Sequence, residues 1–428
     1  MLYSQACRYL EELQFFTIKL GLEATGALLL HLGSPQNCYP AIHLAGTNGK
    51  GSAGAMLSSL LSTNGYKTGF YSSPHLGSIR ERFQINGTLI SQKEFADTAA
   101  IIINILQKRK ITYFEFTTAL AFLWFKNQQV DIAVIEAGLG GRLDATNVMF
   151  PLVSVITNIA LDHQQYLGST IEQITYEKAG IIKPHTPVVS GVEQQPAKNI
   201  IKKACAEKAC PLYTLKDDFI IEQTSDTYRY LSTTTGYELD RLTIPLAGRH
   251  QKKNAALALA ALEMVGQSGF TFTKQSLRKG LATVQWPGRM ERLYTTANGQ
   301  KYHYLLDGAH NEAGVACLLD TLKQDLAEKR IILLWGQMAD KKTGVYFTEL
   351  LQLAALIILT QAETERSASP RDMLESLPEP LPAKTICRDE VESALRSAEK
   401  HADTSSLICI AGSLYLVGKA RELLTKRR

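Results

Sequence analysis

The chain has 428 residues, 45% of them hydrophobic and 20% charged, with a formal net charge of +5. That length allows two or three domains, and that balance is the one ordinary soluble globular proteins show. It excludes a membrane-spanning protein, since no apolar run approaches the roughly 18–20 residues a span needs, and a nucleic-acid binder, since no basic stripe with interleaved aromatics occurs. The cysteines, Cys7, Cys38, Cys205, Cys210, Cys317, Cys387 and Cys409, are scattered and odd in number, with no CxxC pair of zinc spacing. They read as free thiols of a reducing cytoplasm. The opening stretch MLYSQACRYLEELQFF reads as an amphipathic helix and lacks the pattern of a secretion signal.

Residues 1–40 carry helical periodicity at Tyr9, Leu10, Leu13 and Phe16 and end in the turn-rich GSPQNCYP. An apolar strand, Ala41 to Ala45, then runs into a glycine-rich turn, Gly46 to Gly51, and a helical pattern that begins at Ser52. Lys67 to Ser72 reads as a second strand, residues 91–108 and 114–125 as helices. Val130 to Ile135 and Leu152 to Thr157 are continuous apolar runs, as parallel strands buried on both faces require. A helix over 171–183 and a short strand over 188–190 follow, then a weakly patterned stretch, 205–245, that reads as a small antiparallel appendage. An Ala-rich helix covers 248–266. After Trp286-Pro287-Gly288-Arg289 a fresh alternation begins: strands at 302–306, 331–335, 355–360 and 406–411, helices at 313–326, 345–353 and 417–424. The expected class is α/β, with a doubly wound, mostly parallel sheet in residues 1–290 and a smaller α/β sheet in 291–428.

Ligands of such sheets sit at the carboxyl ends of the strands. Gly46, Ser73, Glu136 and His163 all follow or close a predicted strand. The turn AGTNGKGS offers backbone N–H groups and a helix N-terminus to an anion, Lys50 to terminal phosphates, and the Ser52 hydroxyl to Mg²⁺. Its spacing departs from the strict phosphate-loop pattern, because Gly51 separates Lys50 from Ser52, and a plain Gly/Asn turn is the alternative. Ser52, Ser73 and Glu136 are hard oxygen donors suited to Mg²⁺. Glu136 closes an apolar strand, where a carboxylate is costly without compensation; its alternative is a buried salt bridge. His163 could ligate a second Mg²⁺ or simply hydrogen-bond within its loop. Lys178 in YEKAGII reads, by itself, as a lysine on the rim of a helix. In the turn DGAHN, Asp307 could hold a nucleotide or orient an amine and His310 could meet a phosphate; a capped turn is the bland alternative.

The ordered motifs HLAGTNGKGS (43–52), SSPHL (72–76), ERFQINGTLIS (81–91), IEAGLGGRLDATN (135–147), LDHQQYLG (161–168), YEKAGIIKP (176–184), GRHQKKNAALA (248–258), WPGRME (286–291), DGAHN (307–311), LLWGQMADKK (333–342) and AGSLYLVG (411–418) span nearly the whole chain. In this order they make the chain resemble the folylpolyglutamate synthase/dihydrofolate synthase family of Mur-ligase-like ATP-dependent ligases. The resemblance implies a phosphate-loop ATP-binding central domain and a Rossmann-like C-terminal glutamate-ligase domain. It implies that Gly49, Lys50, Gly51 and Ser52 hold the ATP phosphates, that Ser52, Ser73 and Glu136 ligate one Mg²⁺, and that His163 ligates a second. Lys178 matches a lysine the family carbamylates. Asn254, Arg289 and Asp307 match nucleotide-contacting positions, and Lys50, Lys178, Asp307 and His310 are the expected catalytic set. His310, Ser413 and Tyr415 are expected to line the glutamate site, and Tyr113, Phe114, Glu115, Leu143, Asp144 and Ala145 the pterin-bearing substrate. Two departures stand out: Glu312 where the family usually has proline after DGAHN, and Lys342 at the last acidic position of the LGxMxDKD-like stretch.

The implied reaction activates a carboxylate of dihydropteroate or a reduced folate as an acyl phosphate, which the L-glutamate amine then attacks; closure of the two domains would exclude water. The expected enzyme is cytoplasmic and monomeric, with small-molecule substrates and neither nucleic acid nor membrane as partner. A Mur-type peptidoglycan ligase is the runner-up, disfavoured because only about 40 residues precede the phosphate loop, too few for a UDP-sugar domain. A nucleotide-dependent switch is the reading from another class.

Overall fold

Two helices, α1 (Tyr3–Gln14) and α2 (Glu23–His31), precede the first strand, β1 (Ala41–Ala45). The computed structural model describes all residues except 15–20, 108, 298–299, 328, 340, 342–343, 363–366, 378–382 and 428. The expectations for Phe16, the helix end at Lys108 and Lys342 lie outside the described residues. The chain divides into two units. One comprises Met1–His75, Ile79–Pro245 and Gln251–Val284, the other Leu76–Ser78, Leu246–His250 and Gln285–Arg428.

In the first unit, α3 (Lys50–Thr63) leads to β2 (Thr68–Tyr71), the hairpin strands β3 (Phe83–Ile85) and β4 (Thr88–Leu89), α4 (Gln92–Leu106) and α5 (Tyr113–Asn127). Then come β5 (Ile132–Glu136), β6 (Val153–Ile156), the one-turn α6 (Gln164–Leu167), α7 (Ile171–Ala179), β7 (Val188–Ser190), α8 (Gln195–Glu207) and β8 (Leu212–Thr214). The strands form one sheet in the order β4-β3-β2-β5-β1-β6-β7-β8. It is parallel from β2 to β8, with β3 and β4 antiparallel at one edge. Every residue of β1, β5 and β6 is buried, which is why these segments read as unbroken apolar runs. Capping boxes start α4 (Ser91, Glu94), α5 (Thr112, Glu115) and α7 (Thr170, Gln173), each tying two otherwise unpaired N–H groups. Helices α1, α2, α4, α5, α7 and α8 pack on the sheet face that carries Ala41, Ala45, Ile135 and Ile156, and α3 packs on Phe70 of the other face, where a β-carbon on Gly54 would lie 2.6 Å from its ring.

The weakly patterned stretch is a three-stranded antiparallel sheet of β9 (Phe219–Thr224), β10 (Thr227–Ser232) and β11 (Glu238–Leu242). Helices α9 (Arg249–Gly266) and α10 (Lys274–Ala282) follow; α8 and α10 were not anticipated from sequence.

The second unit starts with β12 (Glu291–Ala297), an unanticipated strand that pairs antiparallel with β13 (Gln300–Leu306). Beyond it lie α11 (Glu312–Asp325), β14 (Arg330–Trp335), α12 (Val345–Leu353), β15 (Ala354–Thr360), α13 (Pro370–Glu375), β16 (Lys384–Arg388), α14 (Val391–His401), β17 (Ser406–Ala411) and α15 (Leu414–Thr425). Its sheet runs β12-β13-β17-β14-β15-β16, parallel from β13 onward, and apolar clusters cover both faces. The predicted helix over 171–183 stops four residues early, at Ala179. Gly180 takes its place at the C-cap because a β-carbon there would lie 2.3 Å from Arg142 Cα.

Candidate active site

Four adjacent parallel strands, β2, β5, β1 and β6, end at one edge of the first unit's sheet. There the chain carries Ser73 just after β2, Glu136 as the last residue of β5, Gly46 after β1 and His163 in the loop after β6. The Gly46–Gly49 turn is stapled to the segment after β6. Thr47 N donates to Asn158 O (2.9 Å), Asn48 N to Asn158 Oδ1 (2.9 Å) and Thr157 Oγ1 to Asn48 O (2.7 Å). Gly46 has no room for a side chain, since a β-carbon would sit 1.9 Å from Thr157 Oγ1. Gly49 (φ 83°) is the N-cap of α3 and has no side chain with which to cap it. The positive helix end and its N–H groups therefore stay available to an anion.

Lys50 folds back onto this turn, donating to Gly46 O (2.9 Å) and Thr47 O (3.2 Å). Lys178, expected on a helix rim, is instead buried, and its Nζ donates to the same Gly46 carbonyl at 2.8 Å. Burial chiefly, and the Lys50 charge next, push its pKa down to about 7, against the pull of Asp162 and Asp144. The rim reading fails because α7 turns this face toward the phosphate turn. Ser52 is buried in the first turn of α3 and accepts from Gln251 Nε2 (3.4 Å), while Gln251 Oε1 accepts from Asn254 Nδ2 (2.9 Å). Asn254 Oδ1 lies where a β-carbon on Gly49 would intrude, 2.6 Å away. Sequence reasoning named Asn254 but not Gln251. The i, i+3 spacing on a helix is the signal that could have found it.

Glu136 is buried, and its Oε2 accepts from Ser73 N at 3.2 Å. His163 is a left-handed residue (φ 49°) with its Nε2 3.9 Å from Asp162 Oδ2. Among the described residues no three His, Cys, Asp or Glu side chains group as ligands of a metal ion. The donor chemistry here is a hydroxyl at Ser52 and a buried carboxylate at Glu136. That set fits a hard cation that keeps water and phosphate oxygens in its shell, as Mg²⁺ does.

The expected acceptor residues divide into two kinds. Phe114 packs on Gly138, where a β-carbon would lie 2.4 Å from its ring, and Tyr113 lies under the Arg82 guanidinium, 5.3 Å from the ring centre. Glu115 turns inward: it is buried, closes the α5 capping box and accepts from Thr25 Oγ1. Asp144 and Ala145 are buried too, and of 143–145 only Leu143 keeps partial exposure. The Asp144 carboxylate accepts from Leu139 N, Thr146 N and Thr146 Oγ1. Arg82 was not singled out from sequence. It is buried, and its Nε donates to His75 Nδ1 at 2.9 Å; burial and the Arg82 charge push the His75 pKa down to about 3.

In the second unit Asp307 follows β13 and is buried, Oδ2 accepting from Met290 N and Oδ1 from Ala309 N, both at 2.9 Å. Its carboxylate shapes the turn that carries His310, whose Nδ1 is 2.7 Å from Gly308 O. Arg289 lies against Gly308, where a β-carbon would fall 2.4 Å from its Nη1. Ser413 is buried as the N-cap of α15, its Oγ accepting from Leu416 N, and Tyr415 is half-buried beside it in sequence. Glu312 has a clear local role: its Oε1 accepts from Tyr346 N at 3.0 Å, placing a carboxylate at the N-terminus of α12, where the helix dipole favours it.

The Mur ligase middle domain matches residues 44–262 and the Mur ligase glutamate ligase domain matches 288–414. A dihydrofolate synthase/folylpolyglutamate synthase from Bacillus subtilis is 34% identical over 424 residues, covering 96% of each chain. The chain belongs to the folylpolyglutamate synthase/dihydrofolate synthase family of Mur ligases. As a member of this family it is an ATP-dependent ligase built from two α/β domains. Escherichia coli FolC in complex with DHPP and ADP superposes with a TM-score of 0.90 at 31% identity, covering 100% of this chain and 99% of that one. The bifunctional folylpolyglutamate synthase/dihydrofolate synthase of Yersinia pestis, complexed with AMPPNP and Mn ion, gives 0.88 at 30% identity, with 99% and 98% covered. No helix among the described residues is long and apolar enough to cross a membrane.

Proposed function

We propose that this family member ligates L-glutamate to dihydropteroate, to reduced folates, or to both, consuming ATP and releasing ADP and phosphate. The observation that carries the reading is the glycine turn after β1. Its helix N-terminus, two lysines and buried Ser52 and Glu136 sit at the strand ends of a chain similar along its whole length to such synthases.

In the first step the acceptor carboxylate attacks the γ-phosphorus, the bond to the bridging oxygen breaks, and ADP leaves an acyl phosphate behind. The N–H groups at 50–52 donate to phosphate oxygens, and the Lys50 ammonium exchanges the Gly46 and Thr47 carbonyls for the γ-phosphate. Positioning and charge stabilisation of this kind dominate phosphoryl transfer. Ser52, Glu136 and Ser73 would hold one Mg²⁺ and His163 would serve a second, and bound there the cation screens charge on the phosphates. In the second step the glutamate amine attacks the acyl carbon, loses a proton, and phosphate leaves. Asn254 and Arg289 are assigned to the nucleotide, His310, Ser413 and Tyr415 to glutamate, and Tyr113, Phe114 and Leu143 to the acceptor. Asp307, Glu115, Asp144 and Ala145 then act by shaping the turns around those contacts.

With its pKa near 7, Lys178 presents neutral amine at neutral pH. Such an amine adds to CO₂, loses a proton and becomes an anionic carbamate, the state we assign to it. The cytoplasm is the proposed compartment, in keeping with seven free cysteines. A coupled ADP assay with each acceptor in turn tests the reading. ADP release that needs both glutamate and a pteroate or folate supports it; release without either overturns it in favour of a nucleotide switch.

A further inference from the structure

The loop over residues 138–147 is fastened from two sides. Arg142 N donates to Glu177 O (2.7 Å) and Asn147 Nδ2 to Gly180 O (3.0 Å), which fixes it to α7 and the turn that follows. Gly141 and Gly180 make that approach close enough, since a β-carbon on either would fall within 2.8 Å of the facing backbone. From below, a buried polar chain ties the loop to β1. His43, in the middle of that strand, has its Nε2 2.8 Å from Thr146 Oγ1, and Thr146 Oγ1 donates to Asp144 Oδ1. Because the hydroxyl hydrogen goes to the carboxylate, Nε2 carries the histidine hydrogen and donates it. Asp144 accepts as well from the loop's own Leu139 N and Thr146 N.

His43 stands opposite Ile135 of β5 and Ser154 of β6, fully buried, and its Nδ1 has no hydrogen-bond partner among the described residues. An aliphatic residue would fill this position without stranding a nitrogen, so what the imidazole contributes is its bond to Thr146. Burial chiefly keeps the ring neutral, with its pKa down at about 3. The proposed reaction uses none of this chain of groups directly.

We propose that His43, Thr146 and Asp144 form a positioning unit that sets the acceptor-binding shape of the 138–147 loop from the strand that carries the phosphate turn. The inference rests on the proposed assignment of the acceptor to Leu143, Tyr113 and Phe114. Steady-state kinetics of the full chain, with ATP and acceptor varied separately and Tm recorded, test it. Thr146→Val and His43→Leu should each raise the acceptor KM about tenfold while leaving the ATP KM within about twofold. Thr146→Ser and His43→Gln, which keep the hydroxyl and an Nε2 donor, should return it toward the unmutated value. The double variant T146V/H43L should be no worse than either single one, as for groups acting through one network. Flat acceptor KM values, additive effects, or acceptor and ATP KM rising together with a falling Tm overturn the inference. Should Thr146→Val fail to fold, the contrast between His43→Gln and His43→Leu decides. If the unmutated chain turns over no pteroate or folate acceptor, the functional reading fails and takes this inference with it. Turnover with no contrast among the variants fails the inference alone.

Discussion

At Lys178 burial and the nearby Lys50 charge act in one direction, and the outcome has a measurable sign. A lysine free in the unfolded chain titrates near 10.4, whereas this one titrates at about 7 in the fold. Between those values the unfolded state binds more protons, so this group makes stability rise with pH across that window and adds no slope below it. Lys178→Met should remove the slope. Urea unfolding at pH 7 and pH 9 of CO₂-depleted protein, in which Lys178 is the free amine, should find the variant more stable than the parent at pH 7, by a margin that shrinks at up to about 1.4 kcal/mol per pH unit. An equal margin at both pH values would place the lysine's titration elsewhere. Lys50 is held by two carbonyls of the turn it guards. Lys50→Ala should cut ADP formation by about a thousandfold or more, within the range electrostatic contacts to a transferring group supply. Activity within tenfold of the parent would remove the phosphate-turn assignment. Glu136 was legible as the residue that closes a strand, and Lys50 and Ser52 as part of the glycine turn and helix start that follow β1. Lys178 was not, because helical periodicity does not say which neighbour a helix face meets.

At the scale of elements, glycine sets how closely segments approach. Gly180 has helical φ/ψ (φ −60°), so alanine suits its backbone and only the space is missing. Gly180→Ala should destabilise by about 1–3 kcal/mol through overpacking and should raise the acceptor KM more than the ATP KM, because the atom it meets belongs to Arg142 in the 138–147 loop. Chemical unfolding with kinetics on the same preparation checks both parts, and a neutral ΔΔG would show that the loop yields. Elements with strong local signals, such as β1, β5, β17 and α5, follow apolar runs or capping boxes. The missed ones, among them α8, α10, β12, β16 and α14, are half-exposed and carry few large apolar residues each, so little in the sequence marks them as elements. Glu312 illustrates the same point in reverse. As a departure from a family pattern it carries no meaning in sequence, yet its partner is a backbone N–H of α12, 34 residues on.

For the whole molecule, nucleotide binding to the folded chain alone should show as stabilisation. A non-hydrolysable ATP analogue with Mg²⁺ at a hundred times its Kd should add about 2.7 kcal/mol and raise Tm by several degrees. EDTA should remove most of that shift if Ser52 and Glu136 hold the cation, and Glu136→Ala should abolish the EDTA-sensitive part without unfolding the chain. A Glu136→Ala variant that unfolds would instead make the carboxylate a structural group.

The sequence by itself determined the α/β class, the strands buried on both faces and the family, because these depend on local periodicity and on motifs in fixed order along the chain. It also determined that Gly46, Ser73, Glu136 and His163 gather along one sheet edge, since the carboxyl ends of parallel strands share an edge whatever the details of packing. Only the tertiary structure decided where side chains at those ends point. Asp144, Glu115 and Asp307 turn their carboxylates onto backbone N–H groups, Lys178 goes inward against Gly46, and His43 reaches a loop more than a hundred residues away. Burial and pairing of polar groups are properties of what surrounds them, and the surroundings come from segments far apart in the chain.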